Sequence, residues 1–484
     1  MSHFPAGEFE KFVTEVMAEA KAPGLAVSIV SGGETIYAKG FGYRDEARAL
    51  PVTPNTIFGM ASITKSFTAL AVMELVEAGR ISLDDPVQKH LPGFDVPGGA
   101  GPAITVHHFL SHTSGFPPLP ALGYSIKGNT KPDPEPPPKT DSGDAKKPTK
   151  RQRKRRGDEA VPHINTYDDL MGYLKTGDFA MLGRPGEYCS YSNDAYGLLG
   201  AIIENASGQP YEEYMIEHVL MPLDMPRSTF SLEWALARAD VTTLYYKNED
   251  EEIKASSNWQ VAPPYLACGW LKSTALDMAH YVSMYAEGGA FRGRRLVSPE
   301  SVAKMTGRHH IYNRDRWYGY GLSSRPDYYG ATLVEHSGGL KGVNTVMGFV
   351  PEKGIGAVVL CNLSGGPAGK VWLGAINLML GLPLDTPRSE YRRDPWPEGK
   401  LPNLTGRFKS GEGSETILSA QDGKLVASSG KRKHEVFMDR EDLGVLTADG
   451  VDQEVKFYPG EDGKVWAIGH GGRVIRKTAD VDGK

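Results

Sequence analysis

Ser62-Ile63-Thr64-Lys65 puts a hydroxyl and an ammonium three residues apart, just before an apolar run at 67–73. If that run is helical, residues i and i+3 share a face and Lys65 reaches the Ser62 hydroxyl. A serine at a helix start also stands beside backbone N–H groups without intrahelical partners, which favour developing negative charge. A weak alcohol, an adjacent base and an electropositive pocket together make an activated nucleophile for acyl transfer. Ser-x-x-Lys is also common on solvated helices, so the reading rests on partners further along the chain.

Two such partners are present. Tyr191-Ser192-Asn193 follows Pro185-Gly186-Glu187 and precedes an apolar helical stretch, which places it on a loop or turn. A tyrosine beside an ammonium has its phenolate favoured and can serve as general base toward a serine hydroxyl. Asn193, two residues on, can point to the same side and hydrogen-bond the lysine or a substrate carbonyl. The other partner is His336-Ser337-Gly338-Gly339, ahead of an apolar strand at 345–350. Glycines there let a substrate lie against a strand edge, and the Gly339 N–H can complete an oxyanion hole with that of Ser62. In isolation the first is equally a buried tyrosine with an Asn-turn, and the second a glycine-rich turn with an ordinary histidine. His112, in Leu-Ser-His-Thr-Ser-Gly, reads as a structural residue after a helix, because Tyr191 already supplies a base.

The elements that must position these residues follow from periodicity. Helical spacing marks 8–21, 195–206 and 275–287, and a strand pair at 25–30 and 35–40 is joined by Gly32-Gly33. Apolar strands return at 345–350 and 356–360. A mostly helical middle bracketed by strands implies a sheet built from both chain ends with helices packed on it. Prolines 383, 387, 395, 397 and 402 mark a linker. Beyond it, alternating strands with Asp-Gly turns at 422–423, 449–450 and 462–463 read as a small antiparallel barrel or sandwich.

At 484 residues the chain is too long for one small core. Its 40% hydrophobic and 23% charged content is that of an ordinary globular protein. No apolar run is long enough for a transmembrane helix. The first residues lack a basic n-region and an apolar h-region, so a cytoplasmic location is expected; a secreted mature form would read the same. Cys189, Cys268 and Cys361 are too scattered for a disulfide framework and read as buried small hydrophobes. The net charge of −5 conceals a basic run at 146–156 inside a Pro-, Lys- and Asp-rich stretch, 123–163. That stretch is expected to be a disordered insertion. It is either a tolerated solvated segment or a contact for an anionic surface. Nucleic-acid binding is not expected, because the basic residues are not spread over a folded face with aromatics. There is no Gly-x-Ser-x-Gly elbow, no His-Glu-x-x-His and no phosphate loop. No cofactor or metal is expected.

Taken in this order, Ser-x-x-Lys, Tyr-x-Asn and His-x-Gly resemble the serine β-lactamase/penicillin-binding-protein family. The resemblance is closest to the branch of class C β-lactamases, DD-peptidases, D-aminopeptidases and related esterases. Phe58-Gly59-Met60-Ala61-Ser62-Ile63-Thr64-Lys65, Leu110-Ser111-His112-Thr113-Ser114-Gly115, Pro222-Leu223-Asp224-Met225 and Gly269-Trp270-Leu271-Lys272-Ser273-Thr274 carry it as well. It implies an α/β (α+β) fold of an antiparallel sheet flanked by helices plus an all-helical region. The expected organisation is a catalytic domain at 1–382, a linker at 383–402 and a lipocalin-like β-barrel at 403–484. By resemblance Ser62 is the acylated nucleophile, Lys65 its partner and Tyr191 the general base. Asn193, His336, Gly338 and Gly339 are implied for substrate and oxyanion.

One departure matters. His336 stands where penicillin-recognising members keep a lysine, a permanent cation for a substrate carboxylate, and histidine titrates near pH 6.5. The expected function is therefore a serine hydrolase of peptide amides, particularly with D-residues. Carboxylesterase or acyltransferase, weak β-lactamase and a non-catalytic ligand-binding protein are the alternatives. The expected partner is a small peptide or ester substrate, with homo-oligomerisation open.

Overall fold

In the strand Gly24–Ser31 every residue from Gly24 to Val30 is buried. The side chains alternate between two cores: Ala26 and Val30 face one, Leu25, Val27 and Ile29 the other. A strand covered on both faces reads as a continuous apolar run, and Ile355–Cys361 repeats the pattern beside it. The two are antiparallel neighbours, with Leu25 opposite Cys361 and Val27 opposite Val359. Thus strands from the start of the chain and from around residue 360 meet in the middle of one sheet, as the bracketing strands imply.

The structure is a computed structural model describing residues 4–131, 162–448 and 450–481. Among the described residues the sheet has nine strands, running spatially from His310–Ile311 through Trp317–Tyr318, Ser323–Tyr328, Ala331–Leu340, Val343–Val350 and Ile355–Cys361 to Gly24–Ser31, Glu34–Asp45 and Leu50–Pro51. Helices Ala6–Ala20 and Ala368–Met379 cover one face, where Trp372 is fully buried. On the other face lie helix Ala275–Ala286 and, beyond it, an all-helical region containing Thr64–Glu77 and Asn193–Ser207. The helix Thr64–Glu77 is apolar nearly all round and buried over most of its length, as expected of a central helix.

Residues 336–339 lie within the strand Ala331–Leu340, and the hairpin reverses after Leu340. Glycine is tolerated within this strand because another backbone approaches it closely. One expectation needs correcting: the insertion begins later than its composition suggests. A helix runs over Ala121–Asn129, with Ala121 buried and Leu122, Tyr124 and Ile126 packed on the main core. The basic run 146–156 lies outside the described residues. All three cysteines are buried and free.

Strands from Gly406–Lys409 to Arg473–Ala479 form a second nine-stranded antiparallel sheet. It curls into a nearly closed barrel around Phe408, Leu418, Val455, Phe457 and Ile468. Its outer surface packs against the preceding part of the chain. Leu182 packs with Ala467 and Val474, and the Tyr188 ring lies 5.5 Å from that of Trp466. Trp372→Ala is expected to remove about 3–5 kcal/mol of stability, whereas Ile36→Ser, at a side chain 39% exposed, changes it by under about 0.5 kcal/mol. Guanidinium unfolding followed by circular dichroism checks both.

Candidate active site

Ser62 lies in a short 3₁₀ turn, Ala61–Ile63, that runs directly into helix Thr64–Glu77. The turn is unusual, because Ala61 has φ +48°. It is held from several sides: Met60 N–H donates to Leu271 O at 2.8 Å, and Thr64 Oγ1 to Ala61 O at 2.7 Å. The Ser62 side chain is therefore presented at the N-terminal end of a helix by backbone that cannot easily rotate away.

One turn along, Lys65 is completely buried. Its Nζ donates to Ser62 Oγ at 3.3 Å, Asn193 Oδ1 at 2.9 Å and Cys268 O at 2.8 Å. Three acceptors match the three hydrogens of an ammonium. Burial nevertheless brings its pKa down to about 8, with Arg473 contributing in the same sense. Lys65 is thus close to giving up a proton near neutral pH.

Asn193 begins helix Asn193–Ser207, whose N-cap is Ser192, with Ser192 Oγ accepting from Ala195 N–H at 3.1 Å. The cap fixes the turn, so that Tyr191 and Asn193 both face Lys65. The Lys65 Nζ is 4.7 Å from the centre of the Tyr191 ring. Tyr191 is buried and its Oη makes no hydrogen bond of ordinary geometry among the described residues. Burial pushes the phenol above its usual value, with Ser62 and Arg473 pulling the other way without prevailing. Desolvation therefore outweighs the expected favouring of the phenolate.

The strand Ala331–Leu340 lies against the serine turn. A Cβ added to Gly338 would fall 2.2 Å from Met60 O and 2.4 Å from Thr345 Oγ1, so only glycine fits. Gly339 has open space in front of it. Pairing with Ser323–Tyr328 stops at Glu335, leaving the edge of residues 336–340 clear of that strand. His336 is buried, with Nδ1 2.7 Å from Ser337 O and Nε2 3.1 Å from Tyr318 Oη. Burial and Lys65 bring it down to about 3, so it is a neutral ring at ordinary pH.

The structure thus brings Ser62, Lys65, Tyr191, Asn193, His336, Gly338 and Gly339 to one place. His112 serves the loop instead: with φ +58° its Nδ1 accepts from Ser192 N–H at 3.1 Å, and its ring lies 4.2 Å from that of Tyr191. Three contributors escaped sequence reasoning. Cys268 acts through its carbonyl, which has no side-chain signature. Asp194 is buried, accepts from Tyr265 Oη at 2.7 Å and is pushed up to about 7 by burial. Arg473 arrives from the barrel, with its guanidinium 4.6 Å from the Tyr191 ring centre.

A family model described as Beta-lactamase matches residues 9–378. The chain belongs to the beta-lactamase family. It is 33% identical to the octameric penicillin-binding protein homologue from Pyrococcus abyssi, with a TM-score of 0.67 over 98% of this chain and 100% of that one. It is 23% identical to penicillin-binding protein 4* of Bacillus subtilis (strain 168) over 93% of both chains. Protein flp of Staphylococcus aureus (strain MW2) is 26% identical over 74% of this chain, and the match spans 63% of that protein's length. Membership of this serine β-lactamase and penicillin-binding-protein family supports a serine hydrolase. Among the described residues no helix is long and apolar enough to cross a membrane.

Two outcomes are expected from this geometry. Gly338→Ala displaces the strand from the serine turn and slows Ser62 labelling by a fluorophosphonate roughly 100-fold, while Gly339→Ala folds with unchanged stability. The second concerns pH. His112 and His336 are depressed by burial, so below about pH 6.5 the unfolded chain binds protons that the folded chain refuses. Their contribution to stability is present above that pH and is lost as pH falls toward the folded values. The slope of unfolding free energy between pH 6.5 and 4 should be shallower in His336→Gln, by up to about 1.4 kcal/mol per pH unit. Guanidinium titrations across that range measure it.

Proposed function

We propose that the protein hydrolyses amide bonds of peptides, D-residue-containing ones in particular, through an acyl-enzyme on Ser62. The observation that carries this is the buried Lys65 ammonium joining Ser62 Oγ to Asn193, with the Tyr191 phenol buried beside Ser62. A buried phenol that interacts with Ser62 is placed, once ionised, to take the Ser62 proton.

The base is the phenolate form of Tyr191, with its own proton lost and the Lys65 and Arg473 cations beside the ring: Ser62 Oγ forms a bond to the carbonyl carbon as its proton passes to the phenolate oxygen. The carbonyl oxygen becomes the oxyanion, held by the N–H groups of Ser62 and Gly339. Its collapse breaks the C–N bond, and the amine departs with the proton from Tyr191. Water then adds to the ester carbonyl, gives a proton to the same base and releases the acid, restoring Ser62. Asn193 keeps Lys65 oriented and reaches toward the substrate amide. The free edge at 336–340 takes the substrate as an added strand.

A neutral His336 gives no charge to a substrate carboxylate, which supports ranking β-lactam hydrolysis behind peptides and small esters. The nearest rival is esterase or acyltransferase chemistry at the same serine. A ligand-binding protein without turnover has no use for Ser62, Lys65, Tyr191 and Asn193 together. The Pyrococcus abyssi homologue is octameric, and by analogy this chain assembles into an oligomer, which light scattering tests. For function, D- and L-aminoacyl amides, short peptides, p-nitrophenyl esters and a chromogenic cephalosporin are run against wild type and Ser62→Ala. The expected result is fastest turnover on a D-residue amide or peptide, lost at least 1,000-fold in Ser62→Ala, roughly as for removal of an activated nucleophile. Turnover that survives in Ser62→Ala contradicts the proposal, and ester-only turnover moves it to the rival.

A further inference from the structure

The barrel touches the catalytic region at one hairpin with particular consequences. Gly471 and Gly472, at φ +56° and +78°, turn the chain between strands Val465–His470 and Arg473–Ala479. The turn is packed: a Cβ on Gly472 would overlap the Tyr312 hydroxyl at 1.8 Å. From this turn Gly472 O accepts the Tyr191 N–H at 2.9 Å, and Val474 N–H donates to Ser190 Oγ at 3.2 Å. The barrel thereby holds the backbone of the loop carrying Tyr191.

Between those two anchors Arg473 extends over the Tyr191 ring. Its Nε and Nη2 donate to the two oxygens of Glu412 at 2.9 and 3.1 Å, and its Nη1 to Gly471 O at 3.2 Å. With its fork occupied by Glu412, Arg473 is placed to act on Tyr191 rather than to clamp a substrate carboxylate.

We propose that Arg473 is a positioning residue of the active site, a cation that the barrel holds against Tyr191 to ease loss of the phenolic proton, with Glu412 setting its strength. This rests on the assignment of Tyr191 as base. Facing Tyr191 are Lys65, His112, Tyr196, Cys268, Tyr312, Tyr318, His336, Arg473 and Glu412. Burial depresses both histidines and raises the three tyrosines and the thiol. Lys65 and Arg473 are then the cations beside the ring, the latter paired with Glu412. Lys65 is tied to Ser62, Asn193 and Cys268, so Arg473 is the cation that can vary without dismantling the nucleophile.

The test is the pH dependence of Ser62 labelling by a fluorophosphonate, in full-length wild type, Arg473→Met, Arg473→Lys, Glu412→Gln and Tyr191→Phe, with thermal midpoints for each. The acidic limb should move up by roughly half to one pH unit in Arg473→Met; because Arg473 also lowers Lys65, the same substitution made in Tyr191→Phe should leave the residual limb in place, and an equal shift there overturns the inference. It should stay near the wild-type position in Arg473→Lys and move down in Glu412→Gln, where the cation is uncompensated. A hairpin that merely clamps the loop would lower labelling in these variants without shifting the limb, and that result overturns the inference. If Tyr191→Phe labels like wild type, the assignment of Tyr191 fails and this inference with it. If Tyr191→Phe is slowed at least 100-fold while Arg473→Met leaves the limb in place, only the inference fails.

Discussion

A buried ammonium with three acceptors is the constraint on which the rest of the site depends. Taking a lysine fully out of water costs several kcal/mol unless its protons are all received. Here the receivers come from three distant segments: Ser62 one turn back, Asn193 at a helix start and the carbonyl of Cys268. Removing any acceptor leaves a hydrogen of a buried charge unpaired, so the three segments are held together by the same requirement that shapes the chemistry. The residual penalty brings Lys65 to about 8, near where an acyl-transfer site needs a group that can exchange a proton.

Around that centre the sheet and helices act as a frame. The central strands are covered on both faces, so they have little freedom to shift. Ala331–Leu340 is set against the serine turn by Gly338, the one residue type that allows Met60 O to come so near. Beyond Glu335 the strand's edge is clear of Ser323–Tyr328 beside the place where the serine is presented. The barrel adds a third contact, through backbone bonds to Ser190 and Tyr191.

Local patterns were the readable part of the sequence. The i, i+3 spacing of Ser62 and Lys65, the helix after Asn193 and the apolar strands at 25–30 and 356–360 depend on neighbours in the chain, and their periodicities appear directly. That an early strand and the strands near residue 360 share one sheet followed from the same pattern. What was not legible required three-dimensional proximity. Cys268 contributes a carbonyl, and Arg473 lies in a part of the chain whose alternating pattern speaks only of strands. The glycines at 338 and 339 could be read as a strand edge or as a turn, and only the close approach of Met60 O to Gly338 shows why glycine is needed there. The ammonium beside Tyr191 suggested a favoured phenolate, whereas the depth of burial, invisible in sequence, reverses the balance. At 121–129, proximity to a charged stretch masked a short amphipathic helix.

The central claim is that Ser62 becomes covalently acylated during turnover. Acid quenching of the wild-type protein within its first turnover of a p-nitrophenyl ester, followed by intact-mass and peptide-level mass spectrometry, tests it most directly. The account predicts a stoichiometric acyl adduct on the peptide containing Ser62, forming in a burst and then decaying with the steady-state rate. An adduct on another residue, or turnover accompanied by no adduct at any quench time, would contradict it.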